Sequence, residues 1–453
     1  MQPIAVLARQ LAEGRTTSRA LTESALERIA DPAGEGQRTF VRVFRDQALA
    51  AADAADALRR AGVAPSPLAG IPVSVKDLFD VAGVTTLAGS VVLADRPPAT
   101  ADATAVARLR AAGAVILGTT NMVEFAYGAH GVNPHYGTPR NPFDRATGRI
   151  PGGSSSGAAV AVADGMGAVG LGTDTAGSVR MPAALCGIVG FKPTARRVPL
   201  TGVVPLAYSL DSVGPLAPTV ACCATVDAIL AGAAPAGLPA MPVAGLRIAV
   251  PRTVVRDGLD DHVAACFEAA LSRLSVAGAR VAEIDFPELE AVRDVHLKSF
   301  WSAVESYHWH RDLLARDAAR YDPSVAARLR RGADVSGADY VEATRRRAAL
   351  IAAADARTAP FDAVAMPTMP EVAPPVAAFD GAPDTWPARL DSYRRNTSLG
   401  NFLDRCAVTL PCHPPGTGPV GFMLMGETMG DRRLLAIAHA VEGVSGFSAT
   451  AAS

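Results

Sequence analysis

A lysine at the end of an apolar segment is the first residue whose type and position could support chemistry. The segment Gly70–Asp77, if it forms a β-strand, places three apolar side chains on one face and Ser74 and Lys76 on the other. Burial penalises the charged ammonium group, so an enclosed lysine has a lowered pKa and can act as a base. Taken alone, however, the pattern favours a lysine that reaches solvent from a strand end.

A glycine- and serine-rich loop, Pro151–Gly157, leads into the small-residue run Ala158–Ala163. Such a loop could cradle a phosphate, although the Gly-Lys-Ser/Thr ending of that motif is missing. It also fits Gly-x-Ser-x-Gly, which would make Ser155 the nucleophile of an elbow between a strand and a helix. Alternatively, it could supply hydroxyl groups to a nucleophile held elsewhere, or be an ordinary structural loop.

A third segment, Gly172–Pro182, places Ser178 after a glycine and before a short helix predicted to end at about Leu185. Asp174 and Arg180 are close enough in sequence to pair and hold this loop. Backbone N–H groups without a helical or strand partner can bind the oxyanion of a tetrahedral intermediate. The groups predicted to do so are those of Thr175, Ala176, Gly177 and Ser178. Alone, this segment could also be an ordinary turn.

In this order and spacing, the three segments resemble the amidase signature family. The resemblance covers nearly the whole chain and is densest from Gly70 to about Pro218. Further matching stretches are Gly118–Ala126, Asn141-Pro142, Leu185–Thr194, Ser209–Leu216, Met366–Thr368 and Pro419–Leu424. The resemblance implies an α/β amidase signature fold, with a central mixed, largely parallel twisted β-sheet covered by helices on both faces. It also implies a single domain over residues 1–453, with a signature core at about 65–220 and a variable helical region at about 285–360.

Members of this family share a Ser–cis-Ser–Lys triad. The matching positions imply that Lys76 is the base, Ser154 the bridging serine after a cis peptide bond, and Ser178 the nucleophile. The implied reaction hydrolyses a carboxylic acid amide to acid and ammonia through an acyl-enzyme on Ser178, with no metal or organic cofactor. This role requires Lys76 to be enclosed and without a close carboxylate, and Asp77 should point away from it.

The sequence specifies the substrate-binding residues less closely than the catalytic residues. The resemblance implies an oxyanion site at Thr175, Ala176 and Gly177, and an acyl pocket built partly from Tyr127. Family members act on short aliphatic, arylacetic, dicarboxylic and urea-like amides, and the residues do not select among them. Two departures stand out. Ser156 replaces a glycine of most members, and Ala176 replaces the first glycine of Gly-Gly-Ser, which would harm an oxyanion donor only if that position needs a positive φ.

Other functions remain open. The glutaminase component of the tRNA-dependent amidotransferases, known as their A subunit, resembles this chain and hydrolyses glutamine within a complex. An esterase of the α/β-hydrolase type would instead use Ser155 with a histidine such as His413 or His439. A pseudoenzyme that only binds is a third reading, which the intact triad positions disfavour. The expected partner is a small-molecule amide, with nucleic acid only for an amidotransferase component, and a homodimer is the default for a soluble enzyme.

The elements that must position these residues indicate a layered α/β sheet. In the amino-terminal part, Gly14 closes one helix and Thr17 or Ser18 caps the next. Further predicted helices are Ala48–Arg60, Ala103–Ala112 and Leu434–Val441, and predicted strands are Val115–Leu117, Leu246–Val250, Ala279–Ile284, Ala363–Ala365 and Pro419–Met425. A Pro/Ala/Gly connector is expected at 228–246. Residues 290–355 should be mostly helical, with Arg345–Arg347 on a solvated outer face.

Composition narrows the class of protein further. Of 453 residues, 49% are apolar, and 43 Lys and Arg residues balance 44 Asp and Glu residues, so no basic field indicates nucleic acid. Prolines interrupt the uncharged stretches 228–246 and 406–426, and the amino terminus has no basic region with a cleavage site, so a cytoplasmic enzyme is expected. The six cysteines form no CxxC pair and should be reduced and buried. His308 and His310 point in different directions on a helix, so no metal site is expected there.

Overall fold

The computed structural model describes residues 2–296, 300–379 and 386–447. Eleven strands form one sheet: β1 Phe40–Val43, β2 Pro72–Lys76, β3 Val115–Thr120, β4 Val169–Asp174, β5 Val189–Lys192, β6 Ser212–Ala217, β7 Arg247–Pro251, β8 Arg280–Ile284, β9 Ala363–Pro367, β10 Ala407–Pro411 and β11 Gly421–Met425.

Sixteen α-helices are assigned within the described ranges. They are α1 Ile4–Ala12, α2 Ser18–Ala30, α3 Gly36–Thr39, α4 Arg45–Arg60, α5 Thr104–Ala111, α6 Ser156–Ala163, α7 Arg180–Leu185, α8 Val220–Leu230, α9 Asp261–Val276, α10 Glu288–His296, α11 Phe300–Asp317, α12 Pro323–Arg330, α13 Gly337–Thr358, α14 Trp386–Arg394, α15 Thr397–Phe402 and α16 Asp431–Glu442. None of the helices in these ranges is both long and apolar enough to cross a membrane.

The sheet is mixed, with the strand order β1-β3-β2-β4-β6-β5-β10-β11-β9-β7-β8. Parallel pairing is concentrated in two blocks, β3-β2-β4 and β9-β7-β8, and the strands between the blocks pair antiparallel. Every residue of β2, β3 and β4 is buried, so both faces of the sheet are covered at this point. The α/β class with a mixed sheet, predicted from the sequence, is therefore confirmed.

Helix α6, which follows the Gly/Ser loop, packs closely against the sheet and so holds the loop there. All eight of its residues are buried, and most are alanine, valine or glycine. A Cβ on Gly157 would lie 2.4 Å from the carbonyl oxygen of Thr39, and one on Gly170 in β4 would lie 2.8 Å from the carbonyl oxygen of Ala158. Only small residues allow this approach, and it packs the start of α6 directly against β4.

Most predicted elements are found within a few residues of their expected bounds, including the Thr17 cap, whose side chain accepts a hydrogen bond from the N–H of Ala20. The connector predicted at 228–246 begins later, because α8 continues to Leu230. Five strands were not predicted individually: β1, β4, β5, β6 and β10. Strand β1 has only four residues, and β10 lies in a stretch that the sequence showed only as uncharged and proline-interrupted.

The prediction that Arg345–Arg347 form a solvated outer face is wrong for Arg347. Its guanidinium group donates hydrogen bonds to the carbonyl oxygens of Phe402, Ser209 and Asn401 at 2.8, 3.3 and 3.1 Å. The helical region is thus tied inward to α15, and burial lowers the pKa of Arg347.

Candidate active site

Lys76 lies at the carboxyl end of β2, beside the carboxyl end of the parallel strand β4. Its side chain is fully buried, and its Nζ is 2.9 Å from Oγ1 of Thr173 on β4. The carboxyl ends of adjacent parallel strands meet at one edge of a sheet, which is where open α/β sheets place their sites. The enclosure predicted for Lys76 is therefore present.

Ser154 is the second side chain that contacts Lys76. Lys76 Nζ lies 2.8 Å from Ser154 Oγ, and the Gly153–Ser154 peptide bond is cis, as the family resemblance implied. The loop is held from the other side by the segment that follows β3, because the N–H of Val123 donates to the carbonyl oxygen of Ser154 at 3.1 Å and the N–H of Gly153 donates to that of Ala129 at 2.7 Å.

The electrostatic environment favours a neutral amine at Lys76. Burial lowers its pKa to about 7, while the negative charges of Asp211 and Asp174 act in the opposite direction. Neither carboxylate forms an ion pair with Lys76 among the described residues. The adjacent Asp77 points away, since its Oδ2 accepts a hydrogen bond from the N–H of Gly89 at 3.1 Å. Lys76 can thus lose its proton near neutral pH.

Asp174 organises the loop that carries Ser178. Its carboxylate accepts hydrogen bonds from the Arg180 guanidinium at 2.9 and 2.9 Å and from the backbone N–H groups of Gly177 and Val179 at 2.8 and 3.2 Å. Burial alone would raise the pKa of Asp174, but the charge and hydrogen bonds of Arg180 hold it at about 2. The predicted Asp174–Arg180 pair is present, and both side chains are fully buried.

One of the four backbone N–H groups predicted to bind an oxyanion is already used. The N–H of Gly177 donates to Asp174, so it is not the unpaired donor that the sequence suggested. The N–H groups of Ala176 and Ser178 donate to no acceptor within the described part of the chain. Ala176 also has no positive φ, which removes the reason why alanine would harm a donor at this position.

Helix α15 supports the same loop from more than 200 residues away. Asn401 donates to the backbone and side-chain oxygens of Asp174 at 3.0 and 2.9 Å, and Thr397 donates to the carbonyl oxygen of Ala176 at 2.6 Å. Gly177 has a φ of +127°, and a Cβ there would lie 2.2 Å from Thr397 Oγ1. Only glycine fits at this position.

The two serine loops contact each other through the backbone. The N–H of Ser155 donates to the carbonyl oxygen of Ser178 at 3.2 Å. The hydroxyl of Ser155 points toward the carbonyl oxygen of Thr173 at 3.4 Å, and it has no histidine partner among the described residues. Ser156 begins α6 without a positive φ, so serine fits where most members have glycine. Within the described ranges, the structure therefore gives Ser155 no histidine that could act as its base.

Asp211 is a second buried carboxylate near the base. It accepts hydrogen bonds from the Thr175 hydroxyl and from the N–H groups of Leu206 and Ala207, the latter two at 2.9 and 3.1 Å. Burial raises its pKa to about 6. Asp211 thus fastens the side chain of Thr175 and also influences the charge of Lys76.

Tyr127, predicted to line the acyl pocket, lies in the segment that braces Ser154. Its side chain is 5% exposed, and its hydroxyl has no hydrogen-bond partner among the described residues. The Arg328 guanidinium of α12 lies 5.0 Å from the centre of the Tyr127 ring. A buried hydroxyl without a partner is costly, which is consistent with a position that a bound molecule would complete.

No group of three or more His, Cys, Asp or Glu side chains in the described ranges is arranged to hold a metal ion. The six cysteines are all buried and free, as predicted.

Comparison with known proteins identifies the family to which this chain belongs. The family model described as Amidase matches residues 20–435, which is most of the chain. The chain belongs to the amidase family. It is 40% identical to a 2-amino-5-chloromuconic acid deaminase from Comamonas testosteroni, over 88% of this chain and 87% of the relative. It is also 37% identical to the A subunit of the glutamyl-tRNA(Gln) amidotransferase of Roseiflexus sp. (strain RS-1), over 96% of this chain and 94% of that subunit.

A solved structure agrees with this membership. Native peptide amidase from Stenotrophomonas maltophilia superposes with a TM-score of 0.83 at 29% identity, covering 99% of this chain and 98% of that one. The family and fold expected from the sequence are confirmed, and this member of the amidase family is a hydrolase of C–N amide bonds.

The sequence did not predict four side chains that contact the site: Thr173, Asp211, Thr397 and Asn401. Thr173 lies in the segment Gly172–Pro182, near the end of a strand that pairs with the strand of Lys76. This position is the signal that could have identified Thr173 as a contact of the lysine. Thr397 and Asn401 belong to a short helix with no local motif, so only the fold reveals that they contact the nucleophile loop.

Proposed function

We propose that this amidase hydrolyses a small carboxylic acid amide to the acid and ammonia through an acyl-enzyme formed on Ser178. The observation that carries the proposal is the contact of a fully buried Lys76 with Ser154 at 2.8 Å, in a loop whose backbone contacts Ser178. A lysine whose pKa is about 7 is matched to proton transfer near neutral pH.

In the first half of the reaction, neutral Lys76 accepts the proton of the Ser154 hydroxyl while Ser154 accepts that of Ser178. Ser178 Oγ then forms a bond to the carbonyl carbon of the amide, and the carbonyl π-electrons move to oxygen. The backbone N–H groups of Ala176 and Ser178 bind this oxyanion. One donor of this kind is worth about 2.7–4 kcal/mol of barrier in a comparable enzyme.

In the second half, the intermediate collapses and the C–N bond breaks. Ser154 donates a proton to the leaving nitrogen and is reprotonated by Lys76, so ammonia leaves with a balanced proton count. Water then attacks the ester on Ser178 as the same relay removes its proton, and Ser178 regains its own proton when the acid departs. Apart from the attacking water, protein groups carry out each of these steps.

Ammonia release by the purified chain tests this function. Wild-type protein should hydrolyse members of a panel of small amides, while Lys76→Ala, Ser154→Ala and Ser178→Ala should each lower kcat/KM by about 1,000-fold or more. Ser155→Ala is the matched control, since its hydroxyl makes a single long hydrogen bond among the described residues, and it should retain most of the activity. Full activity in folded Ser178→Ala would refute the proposal.

A second candidate function is supported by the similarity to the glutaminase component of an amidotransferase over 96% of the chain. A component of that kind would use the same residues to hydrolyse glutamine and would work in a complex. The two functions differ in their requirement for partners. Efficient hydrolysis of simple amides by the isolated chain, with glutamine a poor substrate, favours the free amidase, whereas glutamine hydrolysis that depends on added partner proteins favours the alternative.

A further inference from the structure

Asp211 contacts the nucleophile loop directly before a proposed oxyanion donor. Its carboxylate accepts a hydrogen bond from the hydroxyl of Thr175, and the next residue, Ala176, supplies one of the two N–H groups proposed to bind the oxyanion. Helix α15 holds the residues on either side of Thr175, so Asp211 adds a third contact along the same loop. A shift of Asp211 would therefore move a backbone N–H group that must face the reacting carbonyl.

The segment 205–211, which we call the Asp211 turn, contains no helix or strand. Its internal hydrogen bonds are local: the N–H groups of Leu206 and Ala207 donate to the Asp211 carboxylate at 2.9 and 3.1 Å. The N–H of Asp211 donates to the carbonyl oxygen of Ala207 at 2.8 Å. These bonds fix the shape of the turn. Its carboxyl end is fixed by β6, which begins at Ser212, so its outer corner needs a support from outside the sheet.

Glu305 of helix α11 supplies this support. Its side chain is 7% exposed, and its carboxylate accepts hydrogen bonds from the N–H of Ser209 at 2.8 Å and from the Ser209 hydroxyl at 2.6 Å. The hydroxyl of Tyr340 on α13 donates to the same carboxylate at 2.7 Å. Glu305 forms no ion pair within the described ranges. A buried carboxylate then depends on its hydrogen bonds, so Glu305 holds Ser209 firmly in place.

Helix α13 contacts the same corner of the Asp211 turn. The guanidinium of Arg347 donates to the carbonyl oxygen of Ser209 at 3.3 Å, and to those of Asn401 and Phe402 in α15 at 3.1 and 2.8 Å. The N–H, hydroxyl and carbonyl groups of Ser209 are thus all bonded to α11 or α13. The variable helical region therefore fixes the outer corner of a turn whose inner end contacts the nucleophile loop.

We infer that Glu305 is a positioning residue for amide hydrolysis, which acts through Asp211 on the backbone N–H groups of the oxyanion site. This inference rests on the proposed function and extends the catalytic machinery into the variable helical region. Oxyanion stabilisation is realised mainly in the transition state. A loss of positioning should therefore lower kcat more than it changes KM.

Glu305→Gln tests this role, because it keeps the size of the side chain and places N–H donors where Glu305 has only acceptors. For the amide of the panel that wild-type protein hydrolyses best, kcat should fall by about tenfold or more, while KM changes by less than about threefold. Glu342→Gln is the matched control, since it makes the same substitution at an exposed residue of α13 and should leave both parameters unchanged. Circular dichroism at the assay temperature verifies that each variant is folded.

A double-mutant cycle separates positioning from a general loss of stability. Thr175→Val removes the hydroxyl that Asp211 accepts and nearly keeps the shape of the side chain. If Glu305 acts through Asp211, its substitution should change kcat by less than about threefold in the Thr175→Val background. Independent effects would instead multiply, and the double variant would be about tenfold slower than Thr175→Val alone.

Two results would overturn the inference: a folded Glu305→Gln with the kcat of wild-type protein, or a double variant in which the two effects multiply. Should Glu305→Gln fail to fold, Ser209→Ala takes its place in both tests, because it removes one of the two hydrogen bonds between Ser209 and Glu305. Its kcat should fall by about threefold or more. The proposed function is judged separately, by whether amide hydrolysis disappears in Ser178→Ala.

Discussion

The side chain of Lys76 would be a cation in water, but its buried position allows it to act as a base. Removing the side chain from water lowers its pKa by more than the negative charges of Asp211 and Asp174 raise it. Its two contacts are hydroxyl groups, which can accept from an ammonium and can also donate to a neutral amine. Residue 76 can therefore cycle between both protonation states without leaving a buried charge unpartnered.

The pH dependence of catalysis follows from this balance. Only the neutral amine can accept a proton, so kcat/KM should be low below the pKa of Lys76 and should rise with pH to a plateau, with a midpoint near 7. Asp211→Asn removes a negative charge that raises the Lys76 pKa, so it should move the midpoint to lower pH. Steady-state rates between pH 5 and 9 measure both. A midpoint that moves upward in Asp211→Asn would contradict the assignment of Lys76 as the titrating base.

At the scale of elements, the nucleophile loop depends on helix α15 as much as on its own sequence. Asn401 and Thr397 hold the backbone of Asp174 and Ala176, and Gly177 takes a φ of +127° between them. The loop conformation is therefore set by a close approach that a side chain at residue 177 would block.

Gly177→Ala should disrupt this arrangement. Its Cβ would meet Thr397 Oγ1 at 2.2 Å, and the φ value itself disfavours alanine at a cost of about 1–3 kcal/mol. A loop displaced by about an ångström lowers kcat/KM on the order of 100-fold. Gly237→Ala is the control, because no atom lies within 4 Å of the added Cβ. Wild-type kcat/KM in Gly177→Ala would show that the loop does not need this conformation.

At the scale of the whole molecule, the catalytic candidates could be predicted from local motifs, while the residues around them are determined by the fold. Lys76, Ser154 and Ser178 lie in dense matching segments, and the parallel pairing of β2 with β4 brings the first of these segments to the edge where the other two lie. The Asp174–Arg180 pair was also predictable, because its members are six residues apart.

Other features depend on contacts between distant parts of the chain. Asn401 contacts Asp174 across 227 residues, and no local pattern encodes such a pairing. Arg347 was expected in solvent because it follows two other arginines, but it donates to three carbonyl groups of neighbouring loops and helices. The N–H of Gly177, expected to be unpaired, differs from these cases because its acceptor Asp174 is only three residues away, in the local pattern by which an Asp side chain accepts from a following backbone N–H.

The central claim is that Lys76 activates Ser178 through Ser154, and covalent labelling tests it most directly. A serine-directed fluorophosphonate, followed by mass spectrometry of the labelled peptides, should place one adduct on Ser178. Labelling should disappear in Ser178→Ala and slow by about 1,000-fold or more in Lys76→Ala, since the hydroxyl then has no base. An adduct on Ser155, or labelling of Ser178 at an unchanged rate in Lys76→Ala, would contradict the relay.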